Sequence, residues 1–218
     1  MRKHILKFSL KLGVALFLWV GCDNATQPGQ MVQDFSDLQV GQEWNYLRWE
    51  KRHFEEPVIT QDWATLKIVD RNSNTVTFQE VVYDSASEMT DTSLITFQIV
   101  DSNLVLFGAT RSRLFGFLES HNGILPLTRV DSNLVNVNID SLPDIAQKTG
   151  KPRFMGHASK ARILNHEYSN LTFFYDSLPI VLDAPGTGAF FSPQQGLVSV
   201  VRFDGYSLFE HTGYLLKP

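Results

Sequence analysis

Cys22 is the only cysteine among 218 residues, and it closes the apolar run LGVALFLWVGC at 12–22, behind the basic start MRKHILKFSLK. A thiolate is a strong nucleophile, and a lone thiol sent to an oxidising compartment has no disulfide partner. Attack on an activated glyceryl group would use it and leave Cys22 carrying lipid. The other reactive side chains show no comparable spacing. Besides His4, which lies in the basic start, the histidines are His53, His121, His157, His166 and His211. His166 precedes Glu167, but Asn170 stands where an HExxH metal site needs its second histidine, so no metal or other cofactor is expected. Asn136, Asn138 and Asp140 alternate as calcium ligands could, yet lack the glycine turn and the distal glutamate, which makes a solvated polar face the better reading. There is no GxSxG elbow, Ser159 and Lys160 are adjacent rather than spaced SxxK, and Glu55 and Glu56 would point to opposite faces of a strand. Gly186-Thr187-Gly188 lacks the Lys-Ser/Thr pair and capped helix of a phosphate cradle. No catalytic residue is assigned, and a non-enzymatic protein is expected.

The segment before Cys22 is too short to span a bilayer, since a transmembrane helix needs about 20 apolar residues and Lys7 and Lys11 interrupt this one upstream. It has the layout of a secretory signal. It also resembles the signal of bacterial lipoproteins: Val20, Gly21 and Cys22 match the last three lipobox positions, with Trp19 where that pattern prefers Leu. The resemblance implies cleavage before Cys22 and acylation of its sulfur; ordinary cleavage near Ala25 is the alternative. Each buried methylene of an acyl chain contributes about 0.8 kcal/mol, so two or three chains hold a protein at the membrane.

Residues 1–21 are thus expected to be a signal peptide, 22–30 (CDNATQPGQ) a lipid-anchored tether, and 31–218 a single β-rich domain. The signal carries Arg2, Lys3, Lys7 and Lys11 and no acid, so the remainder has 15 basic against 23 acidic side chains, a formal net of −8. That balance excludes nucleic acid as a partner. Sixteen Phe, six Tyr and four Trp favour pleated, half-buried surfaces. The pattern predicts a curved antiparallel sheet or half-barrel meander with one or two short helices. Alternation marks a hairpin at 63–83, in which Ala64, Leu66 and Ile68 share a face, as do Val76, Phe78 and Val82, broken only by Glu80. Residues 85–92 read as a polar loop. VDSNLV occurs at 100–105 and again at 130–135, which suggests one turn solution used in two hairpins. Leu114, Phe115 and Phe117 read as a strand ahead of an Asn122-Gly123 turn. A helix is expected over 141–150, opened by Ser141 and Asp144, with Pro143 in its first turn and Gly150 at its end, lying across the mouth of the sheet. ARILNHEY at 161–168 reads as one strand, and the last three strands as the middle of the sheet.

Val40, Gly41, Trp44 and Tyr46, with Phe190, Phe191, Gly196, Leu197 and Val198 far downstream, resemble a pattern in uncharacterised strand-rich bacterial lipoproteins. The resemblance implies an envelope location, at the outer membrane or periplasmic face rather than the cytoplasm, and implies no catalytic residue. Two surfaces are candidates for contact. Lys148, Lys151, Arg153, Lys160 and Arg162 form the one locally basic stretch, suited to anionic head groups or an acidic partner, with a solvated loop as the alternative. Phe173, Tyr175, Phe190 and Phe191 put aromatic rings on both faces of their strands, so they line a cavity for an apolar ligand, meet an envelope protein, or pack in a core. The expected role is a membrane-anchored, non-catalytic binding or assembly module; a half-barrel carrier of an apolar ligand or lipid and an envelope hydrolase are the alternatives.

Overall fold

The computed structural model describes residues 37–108, 111–127, 134–177, 185–204 and 209–217. The signal, the tether and Cys22 lie outside them. The described chain forms one mostly antiparallel sheet: β1 (Glu43–Arg52), β2 (Val58–Arg71), β3 (Thr75–Asp84), β4 (Met89–Val100), β5 (Asn103–Leu106), β6 (Ile124–Pro126), β7 (Leu134–Asn138), β8 (Arg153–Ile163), β9 (His166–Ser177), β10 (Gly186–Ser192), β11 (Gly196–Phe203) and β12 (Phe209–Leu216). Their order across the sheet is β6-β5-β4-β3-β2-β1-β12-β11-β10-β9-β8-β7. The chain therefore meanders from β1 outward to one end, crosses to the far end, and meanders back until β12 pairs with β1. β7 alone runs parallel to its neighbour, β8. This is the mainly β, open curved sheet with few helices that the patterning predicts.

Curvature follows from what the interior holds. Six inter-strand steps separate β3 from β9, about 29 Å if the sheet were flat. Yet Phe115 lies 5.9 Å from the Phe78 ring on β3, and Phe117 lies 5.1 Å from Phe174 on β9. Two side chains two residues apart touch both, so the sheet curls around them. The segment carrying them is a turn at 112–115 leading into a 3-10 helix, Gly116–His121. It fills the concave face, where Leu114, Phe115, Phe117 and Leu118 are buried with Trp44, Tyr46, Leu66, Phe78, Phe97, Phe174 and Phe191.

The same strands bury a second cluster on their outer face. Phe173, Tyr175, Phe190, Val201, Phe203 and Leu215 lie beneath Ile139, Leu142 and Ala146 of a 3-10 turn (Ile139–Ser141) and helix α1 (Leu142–Thr149). Strands β9 to β12 are thus apolar on both faces, as a doubly covered sheet must be. β1 belongs to both clusters, with Trp44 and Tyr46 inward and Trp49 outward. Gly156 makes the pairing of β8 and β9 possible, because a Cβ there would collide with the Phe173 ring.

Several expectations are corrected. Residues 89–92 are strand, not loop: their threonines tolerate the exposed edge of β4, whose register with β3 is unbroken from Thr75↔Gln98 to Asp84↔Met89. Leu114, Phe115 and Phe117 belong to a turn and 3-10 helix because 114, 115, 117 and 118 repeat at helical spacing. The first VDSNLV makes the β4–β5 hairpin, with Asp101 at φ 51°. Residues 130–133 of the second copy lie outside the described residues; β6 and β7, on either side of them, stand at opposite ends of the sheet and do not pair with each other. ARILNHEY is not one strand, since the chain reverses at Leu164 (φ 53°) between β8 and β9. Helix α1 covers the outer face, not the mouth. Gly150 ends it in the left-handed region at φ 64°, as expected, whereas the Ser141 hydroxyl donates backwards to the Asn138 carbonyl at 2.6 Å and caps nothing.

Candidate functional site

The structure divides the basic stretch. Lys148 and Lys151 are exposed at the end of α1, Arg153 opens β8, and Lys160 and Arg162 lie at its other end. Nine residues of strand put about 30 Å between Arg153 and Arg162. Arg153 bonds Asp176 at 3.2 Å and Lys160 bonds Glu167 at 2.7 Å, while the Arg162 guanidinium donates to the Leu164 carbonyl. The five cations form no single patch. The four aromatics are also separated: Phe173, Tyr175 and Phe190 pack under α1, and Phe191 packs on the concave side, all at 0–2% exposure. They are core residues, because each face of their strands is covered by the chain's own segments.

Sequence reasoning passed over the buried polar groups. Glu80, 2% exposed, accepts from the Ser112 hydroxyl at 2.5 Å, the Arg113 N–H at 2.8 Å and the Leu114 N–H at 2.9 Å. Its signal was the one charge in an otherwise apolar alternation: a carboxylate buried in a strand needs several donors, and the 112–115 turn supplies them. Tyr46 lies close enough to feel that charge, and burial first, then Glu80, pushes its phenol far above the ordinary tyrosine value. It stays neutral and is no general base.

A second anchor closes the outer end of β1 to β3. Asp62 accepts from Arg48 at 2.7 Å, from the Ser85 N–H at 2.9 Å and from the Ser85 hydroxyl at 2.5 Å. Burial raises its carboxyl, but the two Ser85 bonds and the Arg48 guanidinium together outweigh that and hold it below the usual carboxylate value. A depressed folded value stabilises the fold above the unfolded carboxylate range, and that contribution is lost as pH falls through the folded value. Thermal melts should therefore fall on acidification below about pH 4, the model-peptide value. In Asp62→Asn that acid-side loss should shrink; an identical pH profile in the variant would dismiss the anchor. The third anchor ties the outer cover down: Asp140 meets the His211 ring at 3.2 Å and Lys51 at 3.5 Å, and the His211 bond chiefly holds its carboxyl low, against a smaller opposing effect of burial.

These contacts hold segments in place. Both serines donate to carboxylates instead of facing a histidine base, an arrangement unlike a hydrolytic triad. Among the described residues no group of three or more His, Cys, Asp and Glu is placed to hold a metal ion. The outer face of β1–β4 differs in kind. Trp63 and Tyr83, paired across β2 and β3, stack at 5.6 Å with 19° between their planes, and Trp63 remains 37% exposed.

The fold and its anchors define a class: an open antiparallel sheet curled around its own plug, with a helix on half of its back. No protein-family model matches the chain, and no curated protein matches it. Among solved structures it is similar to a protein of Bacteroides fragilis, taken to be exported and described as having a YmcC-like fold. The two share 10% identity at a TM-score of 0.45, over 83% of this chain and 97% of the other.

Proposed function

We propose that this protein is a lipid-anchored module of the bacterial cell envelope that works by non-covalent binding rather than catalysis. The observation that carries the binding half is the filled interior. Leu114, Phe115, Phe117 and Leu118 occupy the concave face that a half-barrel carrier would keep for its ligand, and α1 covers the other aromatic face. That leaves the exposed outer side of β1–β4, with its Trp63–Tyr83 pair, as the surface for contact. Support for the anchor comes from the lone Cys22 at the end of a signal-like run.

Fractionation and intact mass test the anchor together. Wild type should collect in the membrane pellet with a mass heavier by its acyl chains, starting at Cys22. Cys22→Ala should move to the soluble fraction with an unchanged melting temperature. A wild-type product that begins beyond Cys22, or carries that thiol unmodified, ends the anchored reading.

A further inference from the structure

β5 is much shorter than β4, the strand it pairs with. It covers β4 only at 97–100, with the Phe107 N–H adding a bond to the Thr96 carbonyl, so the edge of β4 at 89–95 runs on past it unpaired. Backbone groups in an antiparallel strand point alternately to its two sides. The Ile99 N–H donates to the Asn74 carbonyl, at the start of β3, whereas the Thr96 carbonyl faces away from β3. Because the register with β3 is unbroken, Leu94, Thr92 and Thr90 also face away, and among the described residues nothing pairs with their N–H and C=O groups on that side. All three residues are exposed. Natural sheets blunt such an edge with lysine, proline, a bulge or a very short strand. β6 does so at one end of this sheet, with 3 residues closed by Pro126, but MTDTSLI at 89–95 carries none of these devices.

We propose that this edge pairs with itself in a second copy of the chain, through antiparallel β4 strands related by a two-fold axis at Thr92. An unpaired edge selects another strand through its backbone groups alone, and this free stretch is its own complement. With Thr92 opposite Thr92, Thr90 of each copy meets Leu94 of the other, and every N–H and C=O group that the three residues turn outward is paired. Asp91 then stands opposite Ser93, whose buried Oγ has no hydrogen-bond partner among the described residues. A serine hydroxyl directly across the strands can donate to that carboxylate. Neighbouring two-fold registers lose this match. An axis at Asp91 sets two carboxylates against each other, which is unfavourable for like charges directly opposite. An axis at Ser93 brings Thr90 against Thr96, where the Phe107 N–H already sits, and an axis at Leu94 brings Thr90 against Gln98, which is paired with Val105. Since the contact is the same patch on both copies, it closes at the dimer.

Disulfide capture tests the register in the full chain carrying Cys22→Ala, where an introduced cysteine is the only thiol. The two Thr92 Cα atoms would lie about 5.5 Å apart, within disulfide reach, whereas the two Thr90 Cα atoms would lie about 14 Å apart, beyond it. Thr92→Cys should therefore oxidise to a dimer of twice the mass roughly tenfold or more faster than Thr90→Cys, and Thr90→Cys combined with Leu94→Cys should restore capture. Without added cysteines, sedimentation should show a concentration-dependent dimer and no larger species. Thr92→Pro removes an N–H on the open side of the edge, where proline is tolerated. It should abolish the dimer and keep the melting temperature within a few degrees of the parent chain. The proposal is overturned if Thr90→Cys is captured as fast as Thr92→Cys, or if a folded Thr92→Pro dimerises like its parent. A monomer at every concentration overturns it too, and would leave the edge to a strand from another protein. Should Thr92→Pro fail to fold, the comparison of the cysteine variants still decides. None of these results alters the mass or fractionation of the Cys22 product, so the anchored reading stands or falls separately.

Discussion

Glu80→Ala should lower the melting temperature by roughly 10 °C and free the 112–121 segment from the concave face. The carboxylate accepts three hydrogen bonds in a buried site, from the Ser112 hydroxyl and the Arg113 and Leu114 N–H groups. While the Leu114 N–H keeps the Ser112 oxygen at 3.1 Å, truncation removes the acceptor of the buried Ser112 hydroxyl and of the part-buried Arg113 N–H. Each such group costs about 1–3 kcal/mol, and partial relaxation towards water holds the total to about 3–4 kcal/mol. For a domain of this size about 1 kcal/mol corresponds to 2–4 °C. The local signature is more decisive than the melt. Amide exchange at Arg113 and Leu114 should accelerate well beyond that of β11, and a hydrophobic dye should bind as Phe115 and Phe117 come loose. Glu56→Ala, an exposed carboxylate outside the strands, should change stability by less than about 0.5 kcal/mol. Unchanged exchange at 113–114 in Glu80→Ala would mean that apolar packing alone holds the segment.

Strands were legible wherever one face is buried and the other wet. The 63–83 hairpin reads directly, because Ala64, Leu66 and Ile68 alternate with Thr65 and Lys67, and Val76 and Phe78 with Thr77 and Gln79, and the structure buries these five together with Val82. The helix at 142–149 was legible from Pro143 and Gly150, which act through local backbone geometry. What the helix covers was not, because the outer cluster joins Leu142 and Ala146 to residues as distant as Trp49 and Leu215. Distance along the chain also hid the plug. Leu114, Phe115 and Phe117 are as apolar as a core strand; the turn is held by the Ser112 oxygen, which accepts from the Leu114 and Phe115 N–H groups, and by Glu80, more than thirty residues away, which accepts from the Ser112 hydroxyl and the Leu114 N–H. Of the surfaces named from sequence, the basic stretch failed as a unit because an extended strand spreads neighbouring cations along its length. The Trp63–Tyr83 pair was missed because it is a relation of register: nothing within either strand says that the two rings will meet.

Phe115→Ala should cost about 3–5 kcal/mol, the range for an aromatic ring removed from a core. Its ring lies 5.2 Å from Phe97 and 5.9 Å from Phe78, and those two contact each other edge-on at 5.7 Å. The cavity would therefore open among rings that β3 and β4 hold in register and that cannot easily collapse into it. Its coupling to Glu80 is the sharper expectation. Both residues retain the same segment, so once Glu80→Ala has loosened it, losing Phe115 as well should cost less than the sum by about 0.5–3 kcal/mol. Phe203 lies on the opposite face, packed at 5.6 Å from Tyr175 and 4.8 Å from His211. Phe203→Ala should be additive with Phe115→Ala within about 0.5 kcal/mol, provided the melts remain two-state. Denaturant melts of the three single and two double variants measure both quantities. Additivity of Glu80→Ala with Phe115→Ala would separate the polar anchor from the plug it is assigned to hold. Strong coupling of Phe115→Ala with Phe203→Ala would instead show that the two clusters act as one core through the shared strands β9 to β12.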